Sequence, residues 1–119
     1  MTTVGFCLIT NVPGHNEKKL MKAIQKFHSL PLDVKMKMAP KHWNPKSKHI
    51  YQGYFPFCKG DVSNKEFYSM PRPFEDISEW EREGCKMYEP IPWIENMKLK
   101  KEYEEVKNIF EDHFKIMHN

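Results

Sequence analysis

The chain has few of the residues that build several common chemistries. Its three cysteines, Cys7, Cys58 and Cys85, lie far apart and include no Cys-x-x-Cys pair. This usage argues for free thiols in a reducing compartment rather than disulfides. A zinc site drawing on them and one of the six histidines has no supporting spacing. No apolar run approaches the roughly 20 residues that a membrane helix needs. The opening MTTVGFCLIT has no basic flank before its short apolar run, so no signal peptide is read and the expected location is cytoplasmic. Five glycines, scattered singly, cannot build a phosphate-cradling loop, and neither a Ser-centred nucleophile elbow nor a paired-carboxylate motif is present.

The remaining composition is enough for one folded domain. Hydrophobic residues at 39% and aromatics at 13% argue against disorder, while 29% charged residues and a mean hydropathy of -0.75 predict a heavily solvated surface. The net charge of +3 hides a division. Residues 1–60 carry ten lysines against two acids, net +8, whereas residues 61–119 carry nine Lys or Arg against fourteen acids, net -5. The two halves can attract each other across a fold, or the first can offer a basic face to an anion.

Val4 to Thr10 is a continuous apolar run ended by Asn11, Pro13 and Gly14, which predicts a buried strand. From Asn16 the period changes. Asn16 suits an N-cap, Glu17 the positive helix end, and Leu20, Ile24 and Phe27 repeat at helical spacing up to His28, before Leu30-Pro31 stops the run. Residues 31–40 are open to two readings: Val34, Met36 and Met38 alternate as in a strand, but Pro31 suits a first helical position and Asp33 a first turn, which favours one or two helical turns. Tyr51 to Phe57 predicts a strand that Pro56 confines to a sheet edge, and KEFYSM a second strand. Residues 75–92 read as an acidic loop, with Asp76 or Ser78 able to cap a short turn through EWERE. From about Asn96 to Met117, Leu99, Tyr103, Val106, Phe110, His113 and Met117 predict one long amphipathic helix whose stripe needs a partner surface. Ile116 and Met117 lie at the end of the chain, and the expectation is that more structure follows.

His15-Asn16-Glu17 is the only His followed two residues later by an acid, the pattern of two ligands in a facial iron site, which His49 or His113 could formally complete. Against it, the triplet lies at a turn and helix start where Glu17 already serves the helix. His113 reads as a core histidine bonded to a backbone carbonyl rather than as a ligand. Lys41, Lys46, Lys48 and Lys59 alternate with Trp43, Tyr51, Tyr54, Phe55 and Phe57, and cations beside rings can hold single-stranded nucleic acid. Strand alternation sends Tyr54 to the opposite face from Tyr51, Phe55 and Phe57, so packing takes some of those rings and nucleic acid is the weaker reading.

The segment GFCLITNVPGHNEKKLMKAIQKFHSLPLDVKMKMAPKHWNPKSKHIYQGYFPF, followed by KEFYSMPRPF and DISEWEREGC, resembles the N-terminal region of isopenicillin N synthase-like oxygenases. The matching features are a Gly-Phe strand, a helix ending FHSLP, the KMKMA turn, an NP loop and a Gly-Tyr strand before a KE strand. They occur in order over about residues 4–117. The resemblance implies an α+β fold: the helix-and-strand cap of a double-stranded β-helix, or jelly-roll, oxygenase with its barrel core missing. Residues 1–119 would then form one partial domain.

It also implies ferrous iron and 2-oxoglutarate as the intact family's cofactors, held by a His-x-Asp pair, a later His and an Arg-x-Ser. This chain has no His-x-Asp, and its two arginines, Arg72 and Arg82, are followed by PF and EG. No catalytic or metal residue is therefore assigned, and no catalysis is expected from the chain alone. His49, Tyr51 and Tyr54 are the candidate substrate contacts that the resemblance implies, each with packing as the competing role. The expected partners are the missing barrel or a full-length relative. A small-molecule substrate is expected only in the intact protein, and no membrane is expected.

Overall fold

A computed structural model describes residues 5–6, 8–70, 78, 83–84 and 88–118. The fold is α+β, with helices α1 (Glu17–His28) and α2 (Leu32–Lys37), strands β1 (Gly53–Phe55) and β2 (Phe67–Ser69), then helices α3 (Met97–Glu102) and α4 (Glu104–His118).

Helix α1 begins where its capping chemistry predicts. The Asn16 side chain accepts the Lys19 N–H at 3.0 Å, and Glu17 lies in the positive first turn. Its end is closed by Ser29, whose hydroxyl donates to the Lys26 carbonyl at 2.7 Å, just before Pro31. The inward face carries Ala23 and Phe27, both buried. Helix α2 confirms the short helical reading, although Pro31 stands at the N-cap rather than inside the first turn.

The expected single helix over 96–117 is two. Tyr103 takes φ -103° and ψ 9° between α3 and α4, yet its N–H still reaches the Leu99 carbonyl at 2.9 Å and its carbonyl accepts from Lys107 at 3.1 Å. The helix is interrupted there while these two bonds of its ladder persist. The Tyr103 ring is buried beneath the Lys26 ammonium, 4.8 Å from its centroid, and Lys26 also donates to the Glu102 carbonyl. A tertiary contact thus coincides with a break that no Pro or Gly announces.

The stripe's partner is α1 itself, running antiparallel to α4. Val106, Ile109 and His113 are buried along this contact. His113 Nδ1 donates to the Ile109 carbonyl at 2.8 Å, which leaves Nε2 to accept the Asn16 N–H at 3.4 Å. The core-histidine reading holds. Met117, expected on the buried stripe, is 71% exposed. It lies one turn beyond His113, which already faces the start of α1, so no helix remains opposite it.

Strands β1 and β2 pair antiparallel, with Tyr54 opposite Tyr68 and Phe55 opposite Phe67. Tyr54 and Tyr68 face the core, while Phe55 and Phe67 stack on the other side with centroids 4.4 Å apart. The core centres on Phe27, whose ring meets Tyr68 at 4.7 Å, Trp93 at 5.6 Å and Phe110 at 5.8 Å. The expected strand over Val4–Thr10 is not formed in its described residues. Phe6, Leu8 and Ile9 are 72%, 89% and 72% exposed. A strand needs a ladder partner, and none runs beside this segment among the described residues. Of the expected turn through EWERE, residues 79–82 lie outside the described residues.

Among the described residues no helix is long and apolar enough to cross a membrane. The radius of gyration is 16.1 Å, against about 13.5 Å for a compact domain of this length.

Candidate functional site

Two polar assemblies stand out, and they differ in kind. The first centres on Glu66, which immediately precedes β2. Its Oε1 accepts from His28 Nδ1 at 2.9 Å, its two oxygens lie 3.2 and 3.0 Å from Lys35 Nζ, and Oε2 accepts from the Tyr54 hydroxyl. Lys35 donates again to the His28 carbonyl at 2.9 Å, and both Lys35 and Tyr54 are buried. One carboxylate therefore ties the end of α1, the middle of α2 and both strands together. Burial pushes the Glu66 carboxyl upward, but hydrogen bonds from Tyr54, Lys35 and His28, with the Lys35 charge, outweigh it and hold the group below its ordinary range. Burial first, then Glu66, pushes the Tyr54 phenol well above its ordinary value. Both carboxylate oxygens, the Lys35 ammonium and the Tyr54 hydroxyl are engaged with one another, as in a structural tie.

Gly53 serves the same junction. It has φ +122°, and a Cβ placed there would lie 2.0 Å from the Met38 carbonyl oxygen at the exit of α2. The next residue, Tyr54, donates its N–H to that oxygen at 3.0 Å. Only a residue without a side chain lets β1 run this close to α2.

The second assembly is a cleft of about 620 Å³ between the end of α2, the 44–49 loop, the 89–95 segment and α3. Lys37, Lys46, Lys48 and Lys100 surround it, with His49 on the loop side. Met38, Pro92 and Ile94 are buried where they reach it, and Ile91 and Trp93 are half-buried. Two carboxylates also line it. That of Glu89 accepts the N–H groups of Ile50, Tyr51 and Gln52 at 2.7, 3.1 and 3.2 Å, which pins the 89–95 segment over the loop and occupies its charge. Glu95 is exposed. None of the four ammonium groups has an ion pair among the described residues. The Trp93 indole N–H is buried without an acceptor among the described residues.

The three sequence candidates are dispersed by the fold. His49 lines the cleft, and its carbonyl accepts the Lys41 N–H at 2.7 Å. Tyr51 is 44% exposed and lies outside the cleft lining, its backbone held by Glu89. Tyr54 is 0% exposed, with its hydroxyl on Glu66. His15 and His113 do meet, edge to face at 5.5 Å, but His113 uses both ring nitrogens on the backbone and Asn16 caps α1. Among the described residues no group of three His, Cys, Asp or Glu is placed to hold a metal, so they do not fit the iron that the resemblance implies.

Sequence reasoning missed Glu66, Lys37, Lys100 and Glu89. Glu66 lies in the KE and Lys37 in the KMKMA of the resemblance; Lys100 and Glu89 had no signal, because they join the site only through the fold. A scan against family models, a search of curated proteins and a search of solved structures each gave no match.

Proposed function

We propose that this chain is a cap region of an Fe(II) and 2-oxoglutarate dependent oxygenase of the isopenicillin N synthase-like kind: it packs on a catalytic barrel and supplies shape rather than iron ligands. The observation that carries the reading is the convergence on Glu66. His28 of FHSLP, Lys35 of KMKMA, Tyr54 of the Gly-Tyr strand and Glu66 of KE lie in four of the motifs that carry the resemblance, and they form one hydrogen-bonded tie. Gly53 completes it by admitting the Met38 carbonyl.

Surface area supports a missing partner. The chain exposes 9316 Å², whereas a compact monomer of its mass would expose about 6,800 Å². The difference exceeds what a standard interface removes, roughly 800 Å² per partner. Phe6, Leu8 and Ile9 supply part of the excess from a segment whose pattern is that of a strand awaiting a sheet. In this reading His49 and Tyr51 are the residues available to a substrate near the barrel entrance. Tyr54 sets the strand that carries them.

The test is to mix the purified chain with ferrous iron and 2-oxoglutarate and to follow succinate release. No release above buffer is expected, and turnover by the chain alone would overturn the reading.

A further inference from the structure

Among the described residues none of the four lysines around the cleft makes an ion pair. Glu89, held by backbone amides, and exposed Glu95 share the lining with an apolar wall: Ile91 and Trp93 half-buried, over buried Met38 and Ile94. We propose that this cleft binds a small phosphorylated molecule with a flat apolar body, the phosphate among Lys46, Lys48, Lys37 and Lys100 and the body against Trp93 and Ile91.

Three features select that chemistry. Four lysines, contributed to one cleft lining by a loop and two helices, suit an anion carrying more than one charge; as point charges they lack the planar fork with which Arg grips a carboxylate. The volume of about 620 Å³ lies within the roughly 300–1,000 Å³ that small-ligand sites occupy, where apolar walls and a few polar groups divide the work of binding. An extended polyanion fits less well. The rings nearest the loop are engaged with one another, Trp43 against Phe55 at 5.9 Å and Phe55 against Phe67 at 4.4 Å, and Trp93, half-buried with its ring packed on Phe27 at 5.6 Å, offers the cleft one platform rather than a row of them. Exposed Glu95 at the rim would also repel a continuing phosphate chain. The site uses neither the Glu66 tie nor the 5–10 segment, and of the residues named in the cap reading it shares His49 and Met38.

The experiment titrates the 119-residue chain with 1-naphthyl phosphate by calorimetry, with inorganic phosphate, 1-naphthol and a short single-stranded oligonucleotide as comparators. Naphthyl phosphate is expected to bind at least about tenfold more tightly than any comparator, and the Lys46→Ala/Lys48→Ala double variant to lose about tenfold or more of that affinity. Both lysines are exposed, so the variant should keep the wild-type circular dichroism. Lys59→Ala, outside the cleft, should bind as wild type does. The proposal is overturned by no binding of naphthyl phosphate at millimolar concentration, by equal affinity for naphthol, by a double variant that binds unchanged, or by tighter, steeply salt-dependent binding of the oligonucleotide.

Discussion

Glu66 and the lysine cleft present opposite arrangements of charge within one small chain. At Glu66 a single carboxylate has three partners, two of them buried, and both of its oxygens are engaged. At the cleft four cations share no ion pair among the described residues, and one lining carboxylate, Glu89, is taken by three backbone amides. Saturated charge holds a fold together because removing one partner strands the others in a poor solvent. Unsaturated charge is stable only where water or a ligand can reach it, so the same side-chain type contributes to architecture in one place and to recognition in the other. Lys35 and Lys37 make the point within one helix: Lys35 is buried on Glu66, and Lys37, two residues on, faces the cleft.

Perturbing the saturated side should cost most. Gly53→Ala puts a Cβ into the Met38 carbonyl and strains a positive φ, and should destabilise the chain by about 4 kcal/mol in urea unfolding. Glu66→Gln leaves the buried Lys35 ammonium without its counter-charge, at about 3 kcal/mol. Tyr54→Phe removes one hydrogen bond but leaves Lys35 and His28 on the carboxylate, at about 1 kcal/mol. On the unsaturated side, Lys46→Ala/Lys48→Ala should change stability by no more than about 0.5 kcal/mol, because the exposed side chains hold nothing in place.

Acid sharpens the same contrast. The folded Glu66 carboxyl titrates below its ordinary value. Its contribution is therefore complete above the unfolded pKa of about 4.3 and is lost as pH falls through the lower folded value. Wild-type stability should fall in that window while Glu66→Gln runs flatter, as chemical unfolding at a series of acid pH values would show. Parallel profiles would remove Glu66 from its central role.

Local signals made some of this architecture readable from sequence. The Asn16 cap, the Phe27 period and Pro31 delimit α1 because capping and steric termination act within a few residues. The alternation of Phe67, Tyr68 and Ser69 predicts which rings face the core for the same reason. What sequence did not show depends on distant contacts. The break at Tyr103 involves Lys26, seventy-odd residues away in the chain, and the 5–10 segment reads as a strand although pairing is a property of two segments. Of the cleft, sequence yielded Lys46, Lys48 and His49 from one loop, whereas Lys37 and Lys100 join only when α2 and α3 are brought beside it. Phe110, on the stripe that seemed to need an outside partner, is spent on Phe27, Tyr68 and Trp93.

Packing on a barrel is best measured by co-expressing the chain with the barrel region of an isopenicillin N synthase-like oxygenase and weighing the product by light scattering. A one-to-one complex is expected, lost in Leu8→Asp, where the side chain is 89% exposed and its replacement spares the core. A chain that stays apart from the barrel at micromolar concentration, or a complex indifferent to Leu8→Asp, would contradict the account.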